Sequence, residues 1–430
     1  MIIQPKRLPT LVALSIVAWC CGVAAQPLGS MAPGTSAPID LPAAIRLALE
    51  QPGLRAAAHE VAASEAAADQ AGKYPNPELE YLREGHRAGT RTTTVQIKQP
   101  IELGGKRRAR VALAEGAVAL ARTEHEARRQ QIRADVIAGY YAVLVAQERQ
   151  QLARSLIELA RRGVDAASKR VAAGKISPID ETKARLAASD ASVELNGATG
   201  ELAIARTKLG ALIGKPAQLF TLAAQYPEQL PAVKPLATLL ADVGESAAVQ
   251  RARRQLAAQV AQTDVERAVR IPDVTISIGS QRDDEVQRRQ AVVGLSVPLP
   301  LFNRNQGSLS AALRRADKAQ DELAAVQVTA ASELAGAYTR YEVARGEVAL
   351  LRQDVLPNAQ SAYELTLKGF EYGKFPFLDV LDAQRTLFQS QSRYWKALLE
   401  AWRGFADIER LAGHANTTEQ NRLTEPGSHP

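Results

Sequence analysis

The chain passes from Gln99-Pro100-Ile101-Glu102-Leu103-Gly104-Gly105-Lys106-Arg107 into a long helical pattern. It makes the same passage again from Val297-Pro298-Leu299-Pro300-Leu301 through Asn305-Gln306-Gly307. Upstream, Lys73-Tyr74-Pro75-Asn76-Pro77 returns as Val269-Arg270-Ile271-Pro272-Asp273. Downstream, Gly139-Tyr140 returns as Ala337-Tyr338, and Ala173-Gly174-Lys175 with Asp180 returns as Tyr372-Gly373-Lys374 with Asp379. The offset is 198 from Pro100 to Pro298 and 199 from Gly174 to Gly373. Collinear spacing over most of the chain means one large unit written twice, not a short solenoid repeat.

The residues before each junction read as strands. In Thr93–Gln99, Val95 and Ile97 face one side while Gln96 and Lys98 face the other; in Val274–Gly279, Val274, Ile276 and Ile278 alternate with Thr275, Ser277 and Gly279. Ala291–Val297 places Val293, Leu295 and Val297 on one face, and Leu79–Arg83 is the weakest of the four. Such alternation suits a transmembrane β-strand and equally a half-buried strand of a soluble sheet. Four strands are too few to close a barrel, since the smallest have about 8. If they span a membrane, several chains must share one barrel.

Around the strands the pattern is helical. Ala43–Ala71 and Leu236–Val269 are Ala-rich segments, each ended by a proline, which lacks an N–H and disfavours helix in the residue before it. Lys106–Val171 and Asn305–Glu371 are dominated by helix formers, with one proline, Pro357, between them. At about 1.5 Å per residue each makes a rod roughly 100 Å long. Ile132, Val136, Tyr140 and Val143 begin a seam that continues through Leu152, Leu156, Leu159, Gly163 and Ala166. Leu334, Tyr338, Tyr341, Arg345, Val348, Arg352 and Val355 repeat the spacing in the second copy. The spacing is that of a coiled coil, and each rod ends at Gly174 or Gly373 before a proline and a new helix, so each folds back as a hairpin.

The ends and composition narrow the class. Lys6 and Arg7, the apolar run Leu11–Trp19, and Val23-Ala24-Ala25 read as a secretory signal peptide over 1–25, cut after Ala25. Its apolar run is short of the ~20 residues of a spanning helix. Both cysteines, Cys20 and Cys21, lie within it, so the mature chain carries no disulfide; lipid attachment at either is disfavoured by Trp19 and Cys20 where a small residue belongs. Then come a flexible lead-in (26–38), the first repeat (39–220), a proline-punctuated linker (221–235), the second repeat (236–413) and a polar tail (414–430). Loss of Lys6 and Arg7 lowers the formal charge from +7 to +5, spread along the chain, so nucleic-acid binding is not indicated. Five scattered histidines show no ligand spacing. Gly104-Gly105-Lys106 lacks the spacing of a phosphate-binding loop, so no nucleotide cofactor is expected.

With its duplication, its junctions and the tip Gly373-Lys374-Phe375-Pro376-Phe377-Leu378-Asp379-Val380-Leu381-Asp382-Ala383, the chain resembles the TolC-type outer-membrane efflux channels across nearly its whole length. The junction motifs are similar to those of the heavy-metal, CzcC-like branch. The resemblance implies a mixed, mainly α fold in which three chains each give four strands to a twelve-stranded barrel in outer-membrane lipid. Their helices would form a tunnel across the periplasm, a passive duct for heavy-metal cations. The implied partners are a periplasmic adaptor (membrane fusion protein) and an inner-membrane pump of the RND type, met at the hairpin tips.

At those tips, Asp379 and Asp382 stand at i and i+3 of a helix start and share a face. The resemblance implies two stacked carboxylate rings at the channel entrance in a trimer, a cation-selective constriction. Acidic residues at a helix start also simply favour the macrodipole. In the family's pattern a Tyr and an Arg near the tip help hold the channel shut against an Asp of the other hairpin. Here Phe370 and Phe375 occupy those positions while Asp180 matches the Asp. Phenylalanine neither hydrogen-bonds nor pairs with a charge, which leaves Lys175 and Lys374 as substitutes for the missing partners. Two other readings stay open: the same channel fold serving drugs or secreted polypeptides, and a periplasmic coiled-coil adaptor.

Overall fold

The computed structural model describes residues 38–86, 89–223 and 230–412. The cleavage position Ala25, both cysteines and the tail at 414–430 lie outside them. Within the first repeat run α1 (Leu41–Leu49), α2 (Pro52–Ala71), β1 (Glu78–Glu84), β2 (Thr92–Ile101), α3 (Lys106–Ala172) and α4 (Pro178–Ile213). The second repeats the order with α5 (Leu236–Ala241), a 3₁₀ turn (Asp242–Glu245), α6 (Ala247–Val269), β3 (Val274–Asp283), β4 (Arg288–Ser296), α7 (Gln306–Leu350), a π turn (Leu351–Val355), α8 (Leu356–Glu371) and α9 (Phe377–Ala412).

Three helical expectations are corrected. The segment Ala43–Ala71 is two helices, because Pro52 starts α2 and holds Gln51 extended. The Gln51 amide then donates to the carbonyls of Leu47 and Ile213, tying α1 to the end of α4. The segment Leu236–Val269 likewise breaks, and Ser246 caps α6 with its hydroxyl at Val249 N. The rod Asn305–Glu371 runs unbroken only in direction. It widens to a π turn just before Pro357, which has no N–H to give and whose ring crowds the preceding turn.

The seam is also rephased. Ile132, Val136, Tyr140 and Val143 are buried as expected. Farther down α3 the fully buried residues are Ala153, Ile157, Ala160 and Ala167, one position beyond most of those expected, which are half-buried. In α7 and the π turn after it the buried line is Leu334, Ala337, Tyr341, Ala344, Val348 and Leu351, while Arg345 and Arg352 are exposed. The structure thus brings the small alanines inside and lets the arginines reach solvent, as close helix packing favours.

The core sits midway along the helices. The Tyr141 ring stacks on Trp402 of α9 with centroids 3.6 Å apart, and Phe405 meets Trp402 edge-on at 5.9 Å. Tyr140 donates to the carbonyls of Ala223 (2.9 Å) and Ile39 (3.3 Å), and Tyr341 donates to that of Pro231. Each repeat therefore uses a buried tyrosine to hold a passing connection; in the second copy that residue is Tyr341, and Tyr338 is only half-buried.

The sheet is antiparallel throughout, in the order β1-β2-β3-β4. Register aligns Leu79, Ile97, Ile278 and Val293 in one row, with Glu80, Gln96, Gly279 and Val292 in the next. Since successive side chains alternate, one face carries Leu79, Tyr81, Val95, Ile97, Ile278 and Leu295, all exposed. The joint below is clamped by ion pairs: Lys106 to Asp273 at 2.7 Å and Arg110 to Glu102 at 2.6 Å.

Candidate functional site

Two regions carry the polar chemistry, the inner face of the sheet and the hairpin tips. On the sheet, Lys98 Nζ lies 2.8 Å from Glu80 Oε1, and Gln96 donates to the same carboxylate. Across β3 and β4, Gln290 donates to Gln281 at 2.7 Å. The side chains opposite the apolar face thus include two hydrogen-bonded polar groups, with Leu82, Gly279 and Val292 on the same face. Glu80 was not singled out in the sequence, because β1 has the least regular alternation; its i+16 and i+18 partners become neighbours only once β1 pairs with β2.

The tips are built alike. In the first, Gly174 adopts φ 64°, Lys175 N donates to Arg170 O at 2.9 Å, and Gly174 N to Val171 O at 2.9 Å. In the second, Gly373 adopts φ 73°, Lys374 N donates to Gly369 O at 2.8 Å, and Gly373 N to Phe370 O at 3.0 Å. Both are Schellman turns, which need a left-handed residue that glycine supplies without a Cβ clash. Ser177 then caps α4 at Ile179 N, with Pro178 at its first position. Glu181 in the first turn of α4 pairs with Arg185 at 2.6 Å, and this hydrogen-bonded guanidinium holds its carboxyl below the usual range.

Asp180 stands beside Glu181 in that first turn, and Asp379 takes the same place in α9. Asp379 and Asp382 are exposed, and both line a groove of about 980 Å³ between α4 and α9. Lys183 and Asp190 of α4 and Arg385 of α9 line it too, so the two carboxylates share the groove with basic residues. Lys175 and Lys374 are exposed.

The two phenylalanines have different neighbours. The Phe375 ring folds over the buried Gly369, where a Cβ would sit 2.0 Å from a ring carbon. Phe370 carries the Arg170 guanidinium 3.9 Å above its ring centroid, a cation–π contact that joins the end of α8 to the end of α3. Sequence reading missed Arg170; its one local mark is a position in the last, basic turn of α3.

Among the described residues no group of three or more His, Cys, Asp or Glu is placed to hold a metal ion, and no helix is long and apolar enough to cross a membrane.

The sequence matches the family profile of the outer membrane efflux proteins twice, over residues 44–215 and 243–414. It is 44% identical over 377 residues to the cobalt-zinc-cadmium resistance protein CzcC of Cupriavidus metallidurans, covering 87% of this chain and 90% of that protein. It is 30% identical over 285 residues to the nickel-cobalt-cadmium resistance protein NccC of Alcaligenes xylosoxydans, covering 65% of this chain and 64% of the relative. Among solved structures, the outer-membrane channel OprN superposes with a TM-score of 0.74 at 20% identity, over 87% of this chain and 89% of that one.

Proposed function

Because the chain belongs to the outer membrane efflux protein family, we propose that it is the outer-membrane exit duct of a pump that expels divalent heavy-metal cations. It is an outer-membrane channel with a helical portion in the periplasm, and not an enzyme. Nothing about the substrate follows from the fold, which serves many cargoes; the cation reading is supported by the identity to CzcC over most of both chains.

The observation that carries the duct is the sheet. Among the described residues β1 and β4 each pair on one side only, and most of the exposed apolar residues sort to one face. Unpaired strand edges in lipid are untenable. Three chains joined β4 to β1 close twelve strands around the Glu80–Lys98 surface, leaving a water-filled lumen with apolar residues toward lipid. A stand-alone periplasmic adaptor has no use for such a sheet.

In that trimer Asp379 and Asp382 form the carboxylate rings of the periplasmic entrance, and the tips at Gly174 and Gly373 meet the adaptor and the inner-membrane pump. Transport through this component is passive, the energy coming from the pump. Deleting the gene should sensitise cells to cobalt, zinc and cadmium, and the wild-type chain should restore growth. Restored resistance to organic toxicants with unchanged metal sensitivity would overturn the cation reading and favour the same duct for drugs.

A further inference from the structure

One row of the sheet departs from its apolar face. Register places Arg83 of β1 opposite Thr93 of β2, Thr93 opposite Arg282 of β3, and Arg282 opposite Arg289 of β4. These residues share the parity of Tyr81, Val95, Ile278 and Val293, so they stand on the outward, apolar face. Arg83, Arg282 and Arg289 are all exposed. The neighbouring row, on the polar face, instead aligns Glu84, Thr92, Asp283 and Arg288. At this end of the sheet three arginines stand outward, while the inward row sets Arg288 beside two carboxylates, Glu84 and Asp283.

From Val274 to Arg282 the outward side chains of β3 span roughly 27 Å along the strand, close to the ~25 Å apolar band of an outer-membrane barrel. The arginine row therefore marks the far rim of that band, away from the helices. There a guanidinium costs little and reaches the headgroup layer while its stem stays on apolar surface. Arg282 Nε lies 2.9 Å from Asp284 Oδ1, and its side chain is still about half exposed; the Asp284 backbone N–H donates to Arg91 O, so that carboxylate sits just beyond the row. On the outward face Asp284 meets Arg282, and Arg83 and Arg289 have no ion-pair partner among the described residues, so this row is cationic while Glu84 and Asp283 stand on the opposite face.

We propose that Arg83, Arg282 and Arg289, tripled around the trimer, form a girdle that binds the phosphate groups of outer-leaflet glycolipid, the phosphorylated lipid A layer of an outer membrane. Planar, always-charged guanidiniums suit bidentate capture of phosphate oxygens. The proposal rests on the lipid-facing barrel described above. Its consequence is a channel anchored to one leaflet at a fixed depth, resisting the axial pull of partners bound at the far end of a rod roughly 100 Å long.

The test is lipid retention by purified full-length trimer from bilayers of phosphatidylethanolamine doped with diphosphorylated lipid A, read by native mass spectrometry, with single-channel conductance recorded on the same samples. Wild-type protein should retain lipid A, and dephosphorylated lipid A should be lost. The triple variant R83Q/R282Q/R289Q should conduct normally yet retain roughly a hundredfold less, at about 1 kcal/mol per interfacial arginine. Equal retention by a conducting triple variant would overturn the girdle, as would equal retention of the dephosphorylated lipid. Should the triple variant fail to assemble, Arg83→Gln and Arg289→Gln singly carry the test, each expected to lower retention about fivefold. A wild-type chain that never inserts as a conducting trimer would instead sink the barrel reading, and the girdle with it.

Discussion

The Arg170 guanidinium lies 3.9 Å from the centroid of the Phe370 ring, linking the last turn of α3 to the last turn of α8. The contact ties the two hairpins of one chain together at their tips. It needs only a π face, so phenylalanine serves at a position where a hydroxyl is absent. Such contacts contribute about 0.5–1 kcal/mol when partly exposed.

Phe370→Ala should loosen both tips. Amide hydrogen exchange around Gly174–Ser177 and Gly373–Pro376 should quicken by roughly two- to fivefold, as that energy implies. Phe370→Trp should keep the protection. Unchanged exchange in the alanine variant would show that the hairpins are held elsewhere.

Replacing both Asp379 and Asp382 by Ala should lower cation preference in planar bilayers and weaken block by multivalent cations. In the proposed trimer, six carboxylates around the mouth would repel one another and so favour cations beside them. Assembly should be untouched, since the tips lie roughly 100 Å from the strands. Selectivity and block identical to wild type would leave the pair as helix-start residues only.

Gly369→Ala should destabilise the second tip despite alanine's helix propensity, because the new Cβ meets the Phe375 ring. In a Phe375→Ala background the same change should become stabilising, by up to about 1 kcal/mol. The cycle is read by thermal unfolding or by exchange at α8; the same sign in both backgrounds would refute the steric account.

The buried tyrosines make the core sensitive to alkali. Burial pushes the Tyr140 hydroxyl up to about 12 from its ordinary 10.0, with the nearby Asp40 charge adding to it, and burial likewise raises Tyr341 to about 12. A folded-state value above the unfolded one means this stabilisation is complete below pH 10 and is lost as pH rises toward 12. Melting temperature should therefore fall across that window. Tyr140→Phe should cost about 1–2 kcal/mol at neutral pH, by removing the hydroxyl that donates to the Ala223 carbonyl, while Ile39 O still accepts from Ala223 N, and should flatten its share of the alkaline slope.

Much of the fold was legible because its signals are local. The strand alternation, the glycines that end each rod and the repeated order of elements are properties of a few neighbouring residues. Three of the four strands could be read from side-chain sorting alone. Pro52 and Pro357 were equally visible, yet their effects differ, since Pro52 opens a new helix while Pro357 is absorbed by a wider turn inside a packed rod. That choice depends on what the rod packs against.

By itself the sequence determined that one unit is written twice, that each copy joins two strands to a long hairpin, and that Gly174 and Gly373 turn the chain at its tips. Periodicity and backbone preference act within a turn or two of chain, so no partner is needed to state them. Only the tertiary structure decided that Ala337 and Ala344 face inward where Tyr338 and Arg345 were expected, because a helix's rotation is set by the neighbour it packs against. It likewise set Glu80 against Lys98, aligned Arg83 with Arg282 and Arg289, and brought Arg170 over Phe370. Those pairs are up to 206 residues apart, and distances across a sheet or between rods exist only once register and packing are chosen.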